Sequence, residues 1–427
     1  MPFFNLSKNN TSVSKEFLGG FTTFLTMAYI IFVNPDILSA AGMDKDALYT
    51  ATILAAIIGT LLAAFWAKMP LAMAPGMGLN AFFTFTLVIG QGISWQTALG
   101  VVFLSGIVFL ILTILGVREK IAQAIPISIR TAVSAGIGLF ISFIGLKSMG
   151  LIASDPATFI RLGTLGSEVL LGLFGLILIL VLEIRKIRGG ILIGILSTTL
   201  LAMLTGVSPF PNELLAKPAS IDSSFFALDI KSALKWSLIG PIFSFMFVDL
   251  FDSIGTILVC TKEAKIQKEN GEVPGLKKIL MADAFATIIG SFIGTSTTTT
   301  YIESASGIAD GAKTGLASVF TALLFGMALF FGPLATAIPA FATAPALVMV
   351  GIYMFKNIKE IDFKDLTEFT PAFLTIILMP LTYSISNGLS FGFISYALLK
   401  LGTGRHQEVT KTMWIIAGLS LLNLCSL

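Results

Sequence analysis

The chain has 427 residues, of which 55% are hydrophobic and 12% are charged. Because about a quarter of the residues of a typical soluble domain are charged, this composition excludes an ordinary soluble protein. The formal net charge of +3 is too small to indicate a partner, and two cysteines, Cys260 and Cys425, do not form a disulfide framework.

Apolar stretches of roughly 18 to 22 residues recur along the chain, each long enough to cross the hydrocarbon of a bilayer as a helix. They predict an all-α polytopic membrane protein with about 14 transmembrane spans. Spans 1 to 7 are predicted near residues 17–34, 49–69, 71–90, 94–116, 128–151, 166–184 and 188–206. Spans 8 to 14 are predicted near residues 233–258, 279–294, 295–311, 313–336, 340–356, 369–386 and 388–402. The apolar segment 413–427 is short, and we interpret it as interfacial.

The distribution of Lys and Arg predicts a cytoplasmic N-terminus in the inner (plasma) membrane, because basic loops stay on the cytoplasmic side. The proline-containing segment 208–232 then falls outside as an extracytoplasmic connector. The basic residues and the loop that this orientation places inside are Lys68, Arg118, Lys120, Arg130, Arg185, Lys186, Arg188, Lys262–Lys278, Lys356, Lys359, Lys364, Arg405 and Lys411.

The two halves of the chain contain matching sequence motifs in the same order. An Ala-Ile-Pro sequence follows span 4 at 124–126 and span 11 at 337–339, and a Gly-x-x-x-Gly-x-x-Ser pattern occurs at 190–197 and 388–395. Small-residue patterns also occur as ordinary helix-packing surfaces, but the occurrence of two motifs in the same order in both halves indicates a repeat. Because each half has an odd number of spans, seven, the second repeat (233–427) must be inverted in the membrane relative to the first (1–207). Such 7+7 inverted repeats are typical of secondary transporters.

Spans 3 and 10 do not read as continuous helices. Residues 70–80 hold two prolines and two glycines, and residues 295–301 form a largely β-branched run, which favours extended backbone. Each span is therefore predicted to contain a short strand followed by a half-helix, and the two strands are expected to pair because unpaired backbone is costly in a membrane. Asn80 and Glu303 then occupy equivalent places, in the first turn of each half-helix.

Three carboxylates lie within predicted spans, where charged groups are costly and usually functional. Asp249 and Asp252 are three residues apart in span 8 and are expected to share a helix face, and Glu303 lies in span 10. Asp283 and Asp310 fall near predicted span ends, so we interpret them as interfacial caps or solvated groups.

Carboxylates and an amide, with few basic groups, suit a flat cargo rich in N–H donors, such as guanine or hypoxanthine. Aromatic side chains, Phe among them, could stack on such a ring. Carboxyl groups at membrane depth can also load and release protons, which predicts proton coupling through Asp249, Asp252 and Glu303, with sodium as the alternative. The sequence has no cluster with metal-ligand spacing, so we predict no metal, no cofactor and no enzymatic activity.

Four segments resemble the AzgA-like purine permeases of the nucleobase cation symporter-2 (nucleobase-ascorbate transporter) group. They are the stretches at 22–29 with Asn34-Pro35, at 73–83, at 247–252 and at 300–304, and the resemblance covers essentially the whole chain. It implies a uracil-permease-like fold with a core domain of spans 1–4 and 8–11 and a gate domain of spans 5–7 and 12–14. It also implies an elevator or rocking motion of core against gate and a homodimer formed through the gate domain.

The resemblance further implies that Asn80, Asp249 and Glu303 bind a purine, and Asp252 is a further required carboxylate. The neighbouring motif residues Ala81 and Thr300 are expected to complete the substrate site. Hypoxanthine or guanine is the expected cargo, with adenine as the alternative, because adenine would require one protonated carboxyl group.

Three other functions have to be weighed. An anion transporter of the same fold would need positive charge or bare helix N-termini at its site, which Glu303 disfavours. An intramembrane aspartyl protease would need two facing carboxyl groups, which Asp249 and Asp252 on one helix do not provide. A purely structural scaffold would leave the buried carboxylates unexplained.

Overall fold

The computed structural model describes residues 2–116, 124–267 and 273–425. Three parts of the sequence-based predictions lie outside these ranges: the positions of Arg118 and Lys120, the middle of the loop Lys262–Lys278, and the last two residues of segment 413–427.

The described chain is built mostly from helices, with two pairs of short strands. The first half contains α1 (Val13–Met27), α2 (Ile30–Ser39), α3 (Lys45–Leu62), β1 (Met73–Pro75), α4 (Met77–Ala81), α5 (Trp95–Ile114), α6 (Ile127–Ser148), β2 (Ile152–Asp155), β3 (Phe159–Leu162), α7 (Ser167–Ile184) and α8 (Gly190–Leu204). Helices α3 and α4 continue as π-helical segments over Ala63–Ala67 and Phe82–Gly90.

The second half again has three helices followed by a short strand and a short helix, but its described residues contain no counterpart of the β2–β3 hairpin. It contains α9 (Ile230–Ala233), α10 (Ile239–Glu263), α11 (Leu276–Ile293), β4 (Thr298–Thr300), α12 (Ser304–Ala309), α13 (Gly315–Ala328), α14 (Gly332–Thr336), α15 (Ala340–Phe355), α16 (Leu366–Leu381), α17 (Ile385–Gly402) and α18 (Lys411–Cys425).

Eight helical segments in the described ranges are long and apolar enough to cross a membrane. They coincide with predicted spans 1, 2, 4, 5, 6, 8, 11 and 12, and shorter apolar helices correspond to spans 3, 7, 13 and the terminal segment. The predicted fold class, a polytopic helical membrane protein, is confirmed. The hairpin of β2 and β3, in the loop between α6 and α7, was not predicted.

The strands of spans 3 and 10 pair with each other, as predicted. β1 and β4 are antiparallel, with Met73 opposite Thr300 and Pro75 opposite Thr298. The ladder is extended at both ends, because the amide of Gly76 donates to the carbonyl of Thr297 at 2.9 Å and the amide of Tyr301 donates to that of Ala72 at 2.9 Å.

The outer edges of this two-stranded ribbon are closed by side chains. On the β1 edge, the amide of Met73 donates to the Thr60 hydroxyl at 3.0 Å. On the β4 edge, the amide of Thr300 donates to Asp283 Oδ1 at 3.1 Å, and the Thr287 hydroxyl donates to the carbonyl of Thr298 at 2.9 Å. These bonds satisfy backbone groups that would otherwise be costly in a dry interior.

Helices α6, α15 and α16 pack closely through small residues. A Cβ atom added at Gly138 of α6 would lie 2.6 Å from the carbonyl oxygen of Gly351 in α15, and one added at Gly136 would lie 2.6 Å from the sulfur of Met379 in α16. Such contacts allow helix backbones to approach where no hydrophobic effect drives their association.

Lys400, in the last turn of α17, is wholly buried and is neutralised by carboxylates. Its ammonium group lies 2.8 Å from Glu368 and 2.7 Å from Glu408. Asp365 joins this network: bonds from the Thr367 hydroxyl and from Arg405 lower the pKa of Asp365 to about 2. The paired charges tie α16 and α17 to the segment before α18, because separating them would leave buried charge unpaired.

Candidate functional site

A cavity of about 90 Å³ lies beside the β1–β4 ribbon. This volume is smaller than the roughly 300–1,000 Å³ of typical small-molecule sites. None of its described lining residues is basic. Both broken spans, the break between α1 and α2, and helices α6, α10 and α15 contribute to it. The lining residues are Tyr29, Gly76, Met77, Gly78, Leu79, Ile137, Val248, Asp252, Thr256, Thr299, Thr300, Tyr301, Ile302, Glu303, Val350 and Met354.

Glu303 lies immediately before α12 and lines the cavity. Its side chain does not cap α12, and the amides of Ser304 and Ala305 instead donate to the carbonyls of Tyr301 and Ile302. The carboxylate is therefore not engaged as a cap of its own helix. It receives a hydrogen bond from the hydroxyl of Tyr29, with 2.5 Å between Tyr29 Oη and Glu303 Oε1.

The two carboxylates of span 8 are placed differently. Asp252 of α10 lines the cavity, whereas Asp249 is 3% exposed and does not line it. Asp249 instead contacts the hydroxyl of Ser253, at 3.3 Å from its Oδ1. The carboxylates that reach the open space are thus Asp252 and Glu303.

Asp283 corrects one sequence-based interpretation. It was expected near a span end as a cap or solvated group, but it is fully buried within α11. The Ser253 hydroxyl lies 2.7 Å from its Oδ2 and the amide of Thr300 lies 3.1 Å from its Oδ1. The reason is that α11 begins at Leu276, before the apolar run starts, so that Asp283 lies about two turns inside the helix.

The other predicted binding residues divide between cavity and core. Thr300 lines the cavity, whereas Asn80 and Ala81 do not, although Leu79 beside them does. Asn80 is fully buried, and neither atom of its amide has a hydrogen-bond partner among the described residues. Buried polar groups are nearly always paired in folded proteins, so this amide, next in sequence to the cavity-lining Leu79, is a candidate binding group.

The first turn of α4 contributes to the cavity wall. Gly76 precedes the helix without a side-chain cap, and Met77 and Gly78 line the cavity. A Cβ atom added at Gly78 would lie 2.7 Å from Cγ2 of Ile137 in α6. Glycine at this position therefore permits close contact between α4 and α6 at the cavity wall.

Sequence reasoning missed the roles of Tyr29 and Asp283. Tyr29 belongs to a recognised motif, but no spacing rule connects it to Glu303, which is 274 residues away. The aromatic residues among the described wall positions are Tyr29 and Tyr301, so a phenylalanine that could stack on a flat ring is not among them.

A helical membrane protein with two broken spans paired at a carboxylate-lined cavity belongs to the class of membrane transporters. A family model described as the permease family (Xan_ur_permease) matches residues 14–419. The chain therefore belongs to this permease family, that of the nucleobase-ascorbate transporters, and it is a permease, not an enzyme.

Individual relatives support the same assignment, and a solved structure shares the fold. The chain is 42% identical to the adenine permease AdeP of Escherichia coli, covering 99% of this chain and 95% of AdeP. It is 42% identical to the guanine/hypoxanthine permease PbuG of Bacillus subtilis, covering 96% of each. The transmembrane domain of the cyanobacterial bicarbonate transporter BicA superposes with a TM-score of 0.68 at 16% identity, over 89% of this chain and 97% of that domain. This likeness shows the fold, a 7+7 inverted repeat.

Proposed function

We propose that this permease imports purine nucleobases together with protons. The observation that carries the proposal is a cavity lined by the carboxylates Asp252 and Glu303, with no Lys, Arg or His among its described lining residues. A carboxylate binds N–H donors strongly, and the cavity offers no described basic group for an anion. Tyr29 and Tyr301 supply the aromatic walls that a flat ring requires.

Glu303 is the proposed primary acceptor for the base, with Thr300 beside it. Asn80, Ala81 and Asp249 are proposed to join the site when the half-helices move, since they lie next to the cavity wall or one turn behind it. The unpaired amide of Asn80 supports this role, because ligand binding would give it the partners it lacks.

Protons are the proposed coupling ion. Asp249, Asp252 and Glu303 are candidates to carry them, because a carboxyl group at membrane depth can be charged in one state and neutral in the other. Sodium is the alternative, since carboxylate and hydroxyl oxygens also bind a hard cation.

Transport is proposed to proceed by an elevator or rocking motion of a core domain (spans 1–4 and 8–11) against a gate domain (spans 5–7 and 12–14). The position of the cavity supports this division, because its wall joins Gly78 and Glu303 on the one side to Ile137 and Met354 on the other. The proposal includes a cytoplasmic N-terminus in the inner membrane and a homodimer formed through the gate domain.

The proposed cargo is hypoxanthine or guanine, with adenine as the alternative. Relatives at equal identity are named for both groups of purines, so overall similarity does not choose between them. The choice rests on chemistry: ionised carboxylates favour the N1–H of a 6-oxopurine over the acceptor nitrogen of adenine.

Uptake measurements in cells that lack endogenous purine permeases test this proposal. Expression of the chain should give saturable uptake of radiolabelled hypoxanthine that guanine competes for, that increases as external pH falls, and that a protonophore abolishes. Replacing sodium with choline should have little effect. Uptake that follows sodium and ignores the protonophore would contradict proton coupling, and absence of purine uptake would contradict the cargo.

An anion transporter is the competing function, because BicA shares the fold. Proteoliposomes loaded with the purified chain should accumulate hypoxanthine but not labelled bicarbonate or chloride. Accumulation of either anion without purine would favour the competing function.

A further inference from the structure

We infer that Tyr29 is a positioning residue that holds the Glu303 carboxylate in one plane and thereby favours purines with two adjacent N–H donors. This inference rests on the proposed function and extends it to the choice among purines. Two features of the structure lead to it, the freedom of the Glu303 side chain and the fixed position of the Tyr29 hydroxyl.

The Glu303 side chain has little support from its own helix. It follows the β4 strand and precedes α12 without capping that helix, because turn carbonyls take up the first amides of α12. A half-buried glutamate with three side-chain torsions would present its oxygens to the cavity in many orientations. The bond from Tyr29 Oη to Oε1, at 2.5 Å, removes that freedom.

Tyr29 itself is held rigidly. It occupies the break between α1 and α2 and is fully buried. The amides of Phe32 and Val33 both donate to its carbonyl at 3.1 Å, so the backbone on its C-terminal side is fixed as well. Its ring also lines the cavity, which places the hydroxyl between the wall of the site and the carboxylate that it orients.

A fixed carboxylate plane matters differently for each purine. Guanine presents N1–H and an adjacent amine as two parallel donors, and a carboxylate accepts both only when its plane is aligned with the base. Hypoxanthine presents N1–H alone, which tolerates rotation of the carboxylate. Loss of the Tyr29 hydroxyl should therefore weaken guanine binding more than hypoxanthine binding, whereas a merely structural defect would weaken both equally.

Tyr301 provides the matched control. It lines the same cavity and is 5% exposed, but its hydroxyl donates to the carbonyl of Pro75 at 2.5 Å and not to Glu303. Tyr29→Phe and Tyr301→Phe each remove one hydroxyl and keep the ring. They differ in the bond that is lost, because only the Tyr29 hydroxyl donates to the Glu303 carboxylate.

The test measures dissociation constants of radiolabelled guanine and hypoxanthine for the purified protein in detergent, with each Phe variant made alone and combined with Glu303→Gln. Tyr29→Phe should weaken guanine binding by about tenfold or more and hypoxanthine binding by about threefold or less, in line with the loss of one charge-assisted bond. With Gln at position 303, Tyr29→Phe should change guanine binding less than about twofold, because the carboxylate that it orients is gone. Tyr301→Phe should change both purines by one common factor in either background.

Equal losses for the two purines, or an undiminished Tyr29→Phe effect in the Glu303→Gln background, would overturn the positioning role while leaving purine binding intact. If the unaltered protein binds neither base, the proposed function fails, and the positioning role fails with it.

Discussion

Glu303 is the residue on which the proposed function depends most. It follows a strand that is paired across the two repeats, it faces the cavity, and Tyr29 donates a hydrogen bond to it. Asp252 is the second carboxylate of the wall, while Asp249 and Asp283 lie behind it around the hydroxyl of Ser253. Carboxylates at the centre of the molecule are thus divided into a layer facing the cavity and a buried layer behind it.

At the residue scale we predict that Glu303→Gln lowers saturable purine uptake by at least about tenfold, or roughly 1.4 kcal/mol. The substitution keeps the size of the side chain but removes the charge that strengthens its hydrogen bond to an N–H donor. Initial uptake rates, normalised to the amount of protein in the membrane, provide the measurement. Glu213→Gln, at an exposed position in the connector, is the matched control and should transport normally. Near-normal uptake by Glu303→Gln would remove this residue from the site.

At the element scale, backbone groups at the edges of the ribbon and at the start of a helix are satisfied by side chains from neighbouring elements. The β1–β4 ribbon uses Thr60, Thr287 and Asp283 in this way. Helix α13 uses Glu16, which is fully buried. The Glu16 carboxylate accepts hydrogen bonds from the amides of Lys313, Thr314 and Ala317, at 3.1 to 3.2 Å, and so caps α13 from the first turn of α1.

We predict that Glu16→Ala destabilises the protein, because it leaves the buried amide of Thr314 without its acceptor and removes one acceptor from the amides of Lys313 and Ala317. Each unsatisfied buried donor costs about 1–3 kcal/mol, so the midpoint of thermal unfolding in detergent should fall by several degrees. Glu168→Ala is the control, since Glu168 lies in the first turn of α7 but is exposed, and its midpoint should change little. Equal midpoints for the two variants would show that the cap contributes no net stability.

At the scale of the whole molecule, segments of the two halves of the chain meet through contacts away from the cavity. Arg188, between α7 and α8, pairs with Asp310 at the end of α12, and the Thr22 hydroxyl donates to the same carboxylate at 2.6 Å. Close by, a Cβ atom added at Gly189 would lie 3.5 Å from the Cβ of Leu25 in α1. These contacts join the proposed core and gate domains away from the cargo.

If core and gate move against each other, a covalent link at this contact should stop transport. We predict that oxidising the pair Leu25→Cys and Gly189→Cys, in a background with Cys260→Ala and Cys425→Ala, lowers hypoxanthine uptake at least about tenfold. The 3.5 Å separation suits a disulfide, although the positive φ at Gly189 adds a cost of roughly 1 kcal/mol. A reducing agent should restore uptake, and each single cysteine variant should be insensitive to the oxidant. Normal uptake by the cross-linked protein would contradict the proposed relative motion at this contact.

The local sequence determined the class of fold and the broken spans. Hydropathy predicted the spans because every apolar stretch must match the thickness of the bilayer. The prolines near Pro75 and the β-branched run around Thr298 predicted strands because these residues disfavour helix locally. Their pairing followed from the need to satisfy backbone groups away from water. Glu303 could be singled out from its depth in the membrane alone.

Only the tertiary structure decided which groups share the cavity. The bond from Tyr29 to Glu303 joins residues 274 positions apart, and the cap of α13 by Glu16 joins residues about 300 apart. Periodicity along one helix carries no information about such partners, because they depend on how separate helices are arranged around one another. For the same reason Asp249 and Asp252, three residues apart on one helix, have different surroundings: contacts with neighbouring elements bury Asp249 beside Ser253 and leave Asp252 at the wall of the cavity.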